Sequence, residues 1–91
     1  MAAIVRLPFP LTEFTGNQRS VTLDWEGGSL AQMIEILALR WGEGMRDKLL
    51  DESGKLDILY PIFVNGIRVT DLEAEIGKDA DVYILVAISG G

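Results

Sequence analysis

The stretch that decides the fold is VYILVAISGG, residues 82–91, in which an apolar run leads directly into Ser-Gly-Gly. The run from Val82 to Ile88 is rich in branched side chains, so it predicts a β-strand. A strand with so little polar alternation must be central in its sheet or covered on both faces. The two glycines after it carry no Cβ, so such an end can enter a narrow channel and present a carboxylate that another enzyme activates.

Two shorter strands are predicted at the start of the chain. Ile4–Phe9 alternates and is rich in branched residues, but Pro8 and Pro10 lack amide donors and place its end at a sheet edge. Thr-Gly-Asn-Gln at 15–18 supplies the residues of a turn. A half-buried second strand then completes a hairpin, with alternate apolar side chains at Val21, Leu23 and Trp25.

A helix is predicted to start at Ser29, because Ser29 and Gln32 have the spacing of a capping box. Gly42 and Gly44 are expected to end this helix, and Met45–Leu50 to form a brief second one. The apolar residues recur at three- and four-residue steps and form one stripe roughly 100° wide. This stripe is predicted to be core and not a cofactor pocket; it comprises Leu30, Met33, Ile34, Leu37, Ala38 and Trp41.

The second half of the chain predicts another hairpin. Tyr60–Val64 and Ile67–Val69 flank Asn65-Gly66, the strongest two-residue hairpin signal. Residues 70–81 are predicted to cross irregularly, or with one helical turn, to the last strand. The order of elements predicts an α+β fold, a β-grasp in which a mixed sheet packs on one main helix.

Composition narrows the function classes. The chain has 91 residues, no Cys and no His, which leaves it without a thiol nucleophile, an imidazole base or the usual soft metal ligands. Its net charge of −6 opposes nucleic acid and anionic membranes, although solubility alone explains such a charge. We therefore expect a single domain over residues 1–91 with a flexible tail at 89–91, without catalysis of its own, a bound cofactor or a metal, and located in the cytoplasm.

The chain resembles the MoaD/ThiS family of ubiquitin-like sulfur carriers, which includes the small subunit of molybdopterin synthase. The resemblance spans essentially the whole chain, and its most specific motifs are Phe63-Val64-Asn65-Gly66 and Ile88-Ser89-Gly90-Gly91. Further matches are Arg6-Leu7-Pro8 with Leu11, Thr15-Gly16 and the capped helix. Many members have Gly-Asp-Glu-Val before the last strand and a proline shortly before the glycine pair. This chain instead has Asp79-Ala80-Asp81-Val82 and Val86-Ala87, so its end is expected to continue as a strand slightly further.

The resemblance implies a function for the last glycine. In the family an E1-like adenylating enzyme consumes ATP to activate this residue, which becomes a thiocarboxylate and donates sulfur to a synthase subunit. Gly91 matches the reacting glycine and Gly90 the one before it. Adenylation is chemically necessary, because a carboxylate is a poor acyl donor until it is joined to AMP. The chain would then be a protein co-substrate, or the small subunit of a molybdopterin synthase-like enzyme, and not a catalyst.

Strand alternation predicts a partner-binding surface beside the tail. If Val82, Ile84, Val86 and Ile88 face the helix, the side chains between them face outward. An exposed apolar patch marks a partner site, although a second layer or a homodimer contact would also cover one. The predicted surface comprises Phe63, Tyr83, Leu85, Ala87 and Ser89, with Arg6 and Arg68 at its rim.

Several alternatives remain open from the sequence. Sulfur delivery for cysteine or thiamin-thiazole synthesis would use the same tail as delivery for molybdopterin. A ubiquitin-like modifier would pass the same adenylate to lysines of other proteins, and a plain interaction module would have an inert end. The carboxylates of Asp71, Glu73 and Glu75 alternate as a cation site would, but such a segment is more often solvated surface.

Overall fold

A five-stranded mixed sheet packs against one long helix in the computed structural model, which describes residues 1–87. The sheet has the strand order β2-β1-β7-β4-β5, and β3 pairs with β6 in a small second sheet. The elements in chain order are β1 (Ala2–Arg6), a 3₁₀ helix (Leu11–Thr15), β2 (Ser20–Asp24), β3 (Gly28–Ser29), α1 (Leu30–Trp41), α2 (Glu43–Leu49), β4 (Ile62–Val64), β5 (Ile67–Val69), β6 (Glu75–Ile76) and β7 (Asp81–Ile84).

The last strand is central, as its composition predicts. β7 runs parallel to β1 and antiparallel to β4, so both of its edges are paired. Val82 and Ile84 are almost completely buried under α1, while Tyr83 between them is exposed. Burying these two branched side chains fixes the register, because a slip of one residue would expose them both.

Local hydrogen bonds fix the start of α1 at the predicted residue. The hydroxyl of Ser29 accepts a hydrogen bond from the Gln32 N–H at 3.1 Å, and Gln32 Oε1 accepts one from the Ser29 N–H at 2.8 Å. This reciprocal pair is the predicted capping box. Of the predicted stripe, only Trp41 is not fully buried, and the guanidinium carbon of Arg40 lies 4.5 Å from a Trp41 ring centroid.

The hairpin between β4 and β5 has the turn that Asn65-Gly66 predicts. Both residues have positive φ, 51° for Asn65 and 84° for Gly66, as a type I′ turn requires. Asn65 also ties the hairpin to β7. Its N–H donates to the Asp81 carbonyl at 2.9 Å, and its Oδ1 accepts from the Asp81 N–H at 3.0 Å.

Some predicted boundaries are wrong, for reasons that lie in tertiary structure. The first strand spans Ala2–Arg6 and ends before Pro8, and the chain then turns at Phe9-Pro10. Gly44 lies inside α2, which begins at Glu43. The crossing at 70–81 contains β6, whose Glu75 pairs with Ser29 of β3. The last strand was predicted to reach Ile88, which lies outside the described residues, but it ends at Ile84.

The core lies between the sheet and the two helices. It includes side chains from nearly every element, among them Leu23, Met45 and Ile76. The indole N–H of Trp25 donates to the Ile76 carbonyl at 3.2 Å, which satisfies the polar atom of a buried aromatic ring. Within residues 1–87 no helix is long and apolar enough to cross a membrane. The predicted tail at 89–91 lies outside the described residues, so the domain bounds 1–91 stay a prediction.

Replacement of Ser29 tests the capping box. We expect Ser29→Ala to lower the free energy of unfolding by about 1 kcal/mol, because the Gln32 N–H loses its acceptor. Ser29→Asp, whose carboxylate can accept the same bond, should retain most of the stability. Denaturant titration of both variants measures the difference, and an Ala variant as stable as the wild type would contradict the assignment.

Candidate functional site

A row of five side chains crosses the sheet on the face away from α1. Arg6 of β1 pairs with Ser20 of β2 and with Tyr83 of β7. Phe63 of β4 pairs with Tyr83 on one side and with Arg68 of β5 on the other. We call Ser20, Arg6, Tyr83, Phe63 and Arg68 the outer row. It places two aromatic rings next to each other at the centre of the sheet and an arginine on each side of them.

The centre of the outer row is held by short-range contacts. The guanidinium carbon of Arg6 lies 5.0 Å from the Tyr83 ring centroid, within the range of a cation–π interaction. Arg6 Nε also donates to Asp81 Oδ1 at 3.1 Å. Both groups of this ion pair are partly exposed, so it adds little stability. Its effect is to hold the guanidinium over Tyr83, of which 42% remains exposed.

The outer row is locally positive although the chain is acidic. A groove of about 320 Å³ lies beside Tyr83, and Arg6 and Arg19 both line it together with Leu85. Arg19 and Arg68 make no ion pair within residues 1–87. Arg6 and Arg68 thus flank the apolar centre of the sheet face, and Arg19 lines the groove beside it. Asp81 offsets the charge of Arg6 alone. A surface of this kind complements a partner that presents carboxylates around an apolar contact.

The chain continues past β7 as a hydrogen-bonded segment, residues 85–87. The Leu85 N–H donates to the Pro61 carbonyl at 2.9 Å, and the Ala87 N–H donates to the Leu59 carbonyl at 2.8 Å. Both bonds continue the register in which Ile62 lies opposite Ile84. The ladder is one-sided, because Pro61 has no N–H and the N–H of Leu59 donates to Asp57 Oδ1 at 2.9 Å.

The acceptors for this segment lie on the support loop, which we define as residues 57–61. Asp57 closes it, because its carbonyl accepts from the Tyr60 N–H at 3.1 Å while its carboxylate holds Leu59. The Asp57 N–H donates to the Leu49 carbonyl at 2.8 Å, which ties the loop to the end of α2. Tyr60 is buried in the core. The support loop is thus anchored at several points.

The turn before the support loop is organised by one carboxylate. Asp51 Oδ1 accepts hydrogen bonds from the Ser53 hydroxyl at 2.7 Å, from the Ser53 N–H and from the Lys55 N–H. The Ser53 hydroxyl bond and then the Lys55 amide bond lower the pKa of Asp51 below its usual value. Leu50 and Leu56 form a β-bridge across this turn, so the chain enters the support loop from a fixed position.

The structure brings together the described part of the predicted surface. Phe63 and Tyr83 are paired across neighbouring strands. Leu85 and Ala87, two and four residues after Tyr83, are also exposed. Val86, which was expected to face the helix with Val82 and Ile84, is 37% exposed, because burial along the last strand ends at Ile84. Ser89, Gly90 and Gly91 lie outside the described residues. Whether the surface binds a partner stays a prediction.

Sequence reasoning missed the support loop and Arg19. Asp57 carries a recognisable signal, since Asp favours a turn in which it accepts the amide two residues later. The carbonyls of Leu59 and Pro61 carry no such sequence signal, because every residue has a backbone carbonyl. The acidic residues at 71, 73 and 75 are not brought together: within residues 1–87 no group of three or more Asp or Glu side chains is arranged so that it could hold a metal ion.

Solved structures with the same fold include two CysO proteins. CysO of Mycobacterium tuberculosis is 32% identical with a TM-score of 0.83, and the match covers 94% of this chain and 99% of that one. CysO in the BexX/CysO complex of Amycolatopsis orientalis is 29% identical with a TM-score of 0.83, over 98% and 99% of the two chains. SAMP1 of Haloferax volcanii has a TM-score of 0.80 at 18% identity and full coverage of both chains, which shows the fold alone. No protein-family model and no curated protein matches the sequence.

The neighbouring residues Ile84 and Leu85 test the two faces of the chain. Ile84 is 2% exposed and Leu85 is 44% exposed, so truncation to alanine should affect them differently. We expect Ile84→Ala to lower the free energy of unfolding by about 2–5 kcal/mol and Leu85→Ala by less than about 1 kcal/mol. Denaturant titration measures both. Equal losses would mean that Leu85 is covered in solution and belongs to no docking surface.

Proposed function

The chain belongs to the MoaD/ThiS-type family of ubiquitin-like sulfur carriers, and on that premise we propose that it carries sulfur as a thiocarboxylate on Gly91. The family membership rests on the CysO match, which spans nearly the full length of both chains. Gly91 and Gly90 are the positions that match the reactive end. In this proposal the chain is a protein co-substrate, and its partners supply every catalytic group.

The proposed chemistry has two steps. An E1-like activating enzyme joins the Gly91 carboxylate to the α-phosphate of ATP, which releases pyrophosphate and leaves an acyl-adenylate. Hydrosulfide then attacks the acyl carbon, a C–S bond forms, and AMP leaves with the electrons of the broken C–O bond. The absence of Cys and His from the chain fits this division of labour, since neither step needs a catalytic side chain from the carrier.

The outer row supports the proposal because it offers a docking surface on the same strand that leads to the tail. We propose that Phe63, Tyr83, Leu85 and Ala87, together with Ser89, contact the activating enzyme. Arginines at positions 6, 19 and 68 would favour a partner with carboxylates around this contact. Residues 85–87 would then lead the chain end from the docking surface into the partner's active site.

The proposed acceptor is a synthase subunit in molybdopterin formation, with cysteine or thiamin-thiazole synthesis as alternatives. These pathways share the thiocarboxylate and differ only in the acceptor, so one loaded carrier offered to each acceptor separates them. A protein modifier would instead pass the adenylate to lysines, and isopeptide-linked products would identify it. Because activation consumes ATP, the proposed compartment is the cytoplasm.

Intact-protein mass spectrometry tests the thiocarboxylate directly. We expect incubation with ATP, the activating enzyme and sulfide to replace one terminal oxygen by sulfur. Oxidation of any of the three methionines would add nearly the same mass, so mass alone is insufficient. Iodoacetamide resolves the ambiguity, because the chain has no Cys and only a thiocarboxylate would be alkylated rapidly.

Two glycine variants control this experiment. Gly91→Ala should abolish the ATP-dependent alkylated product, because a methyl group obstructs a channel shaped for glycine. Gly77→Ala should form the product normally, since a Cβ there would meet no atom within 4 Å. An unmodified wild type beside a demonstrably active partner would refute the carrier function.

Truncation of the aromatic pair tests the docking surface. We expect Phe63→Ala or Tyr83→Ala to reduce kcat/KM for adenylation at least tenfold, because central aromatic contacts dominate most interfaces. Leu39→Ala is the control, since Leu39 is 85% exposed on α1 and so lies on the other side of the sheet. Pyrophosphate exchange measures the rates. A loss with Leu39→Ala, or none with the aromatic variants, would assign docking to a different surface.

A further inference from the structure

We propose that the support loop positions the reactive tail by holding the chain that leads to it as far as Ala87. The observation is the pair of backbone hydrogen bonds from Leu85 to the Pro61 carbonyl at 2.9 Å and from Ala87 to the Leu59 carbonyl at 2.8 Å. This inference rests on the proposed function, since it describes how the domain delivers Gly91 to a partner.

The two bonds extend the fixed part of the chain by three residues beyond β7, which ends at Ile84. Three extended residues span about 10 Å, so the last point at which the chain is held moves by about that distance along the sheet. A tether held nearer to its reacting end concentrates that end near a docked partner and limits the directions in which it can extend.

The support loop has the rigidity that a positioning element needs. The Asp57 N–H donates to the last turn of α2, and the Tyr60 side chain is buried. The Asp57 carboxylate accepts from the Leu59 N–H, and the Leu59 carbonyl in turn accepts from the Ala87 N–H. The acceptors therefore occupy defined positions relative to the core and to the outer row.

The pattern of bonds provides a matched pair of variants. Ala87→Pro removes the N–H that donates to the Leu59 carbonyl. Val86→Pro leaves both donors in place, because the Val86 N–H makes no backbone hydrogen bond within residues 1–87. The two variants stiffen the chain to a similar degree, since each adds one proline to an extended segment. A difference between them reports the lost bond and not proline itself.

Amide hydrogen exchange of the free protein tests the hydrogen bonds from Leu85 and Ala87 to the support loop without any partner. We expect the Leu85 and Ala87 amides to exchange at least tenfold more slowly than the Val86 amide. Asp57→Ala should remove the protection at Ala87, whereas Asp57→Asn should keep it, because an amide oxygen can still accept from Leu59. Exchange at Ala87 as fast as at Val86 would overturn the proposal.

Pyrophosphate exchange with the activating enzyme tests the consequence for the reaction. We expect Ala87→Pro to lower kcat about fivefold, because the reacting end is misplaced. Since Ala87 also lies in the proposed docking surface, kcat and not the KM for the carrier reports the positioning. Val86→Pro should change kcat less than twofold. Equal losses in the two variants, or a rise in KM without a fall in kcat, would overturn the positioning role.

The two proposals fail in different ways. If the wild type is not adenylated by an active partner, the sulfur-carrier function fails, and hydrogen exchange alone then decides whether the support loop holds the tail. If the wild type is adenylated and Ala87→Pro reacts at the same rate, the carrier function stands and the positioning role is refuted.

Discussion

The arrangement depends on β7 being hydrogen-bonded on both edges, parallel to β1 and antiparallel to β4. Because both edges are paired, the strand cannot slip without breaking two ladders. A slip by one residue would also move the buried Val82 and Ile84 to the exposed face of the sheet. Tyr83 must then point away from α1. It meets Arg6 and Phe63 there because the neighbouring strands place them in the same register. The position of one strand thus assembles the outer row and directs residues 85–87 along the sheet.

Features encoded by neighbouring residues were predictable from the sequence. The capping box at Ser29 and the turn at Asn65-Gly66 depend on side chains a few positions apart, and alternation sufficed to place Tyr83 and Phe63 on the outer face. The exposure of Val86 was not predictable, because apolar composition does not show how far along the last strand α1 covers the sheet. Pairing of two-residue strands, as between Gly28–Ser29 and β6, is likewise fixed by the fold and not by propensity.

Charge is distributed unevenly for a chain of net charge −6. Negative residues predominate over the whole molecule, yet the sheet face presents Arg6, Arg19 and Arg68 around its aromatic centre. Only Arg6 is neutralised by a neighbour within the described residues, through Asp81. At physiological salt, charges more than about 8 Å apart are largely screened, so the face would act on the proposed partner mainly at close approach. The arginines would then favour one orientation of that partner more than they add affinity.

The one-sided ladder at residues 85–87 directs the chain with few hydrogen bonds. The proposed positioning role requires a directed segment, which needs hydrogen bonds to a fixed element. Pro61 has no amide to return a bond, and the Leu59 amide is already bonded to Asp57, so each pair contributes one bond where a full ladder has two. A single amide bond of this kind contributes about 1 kcal/mol net. Two of them bias the segment toward the direction in which β7 runs.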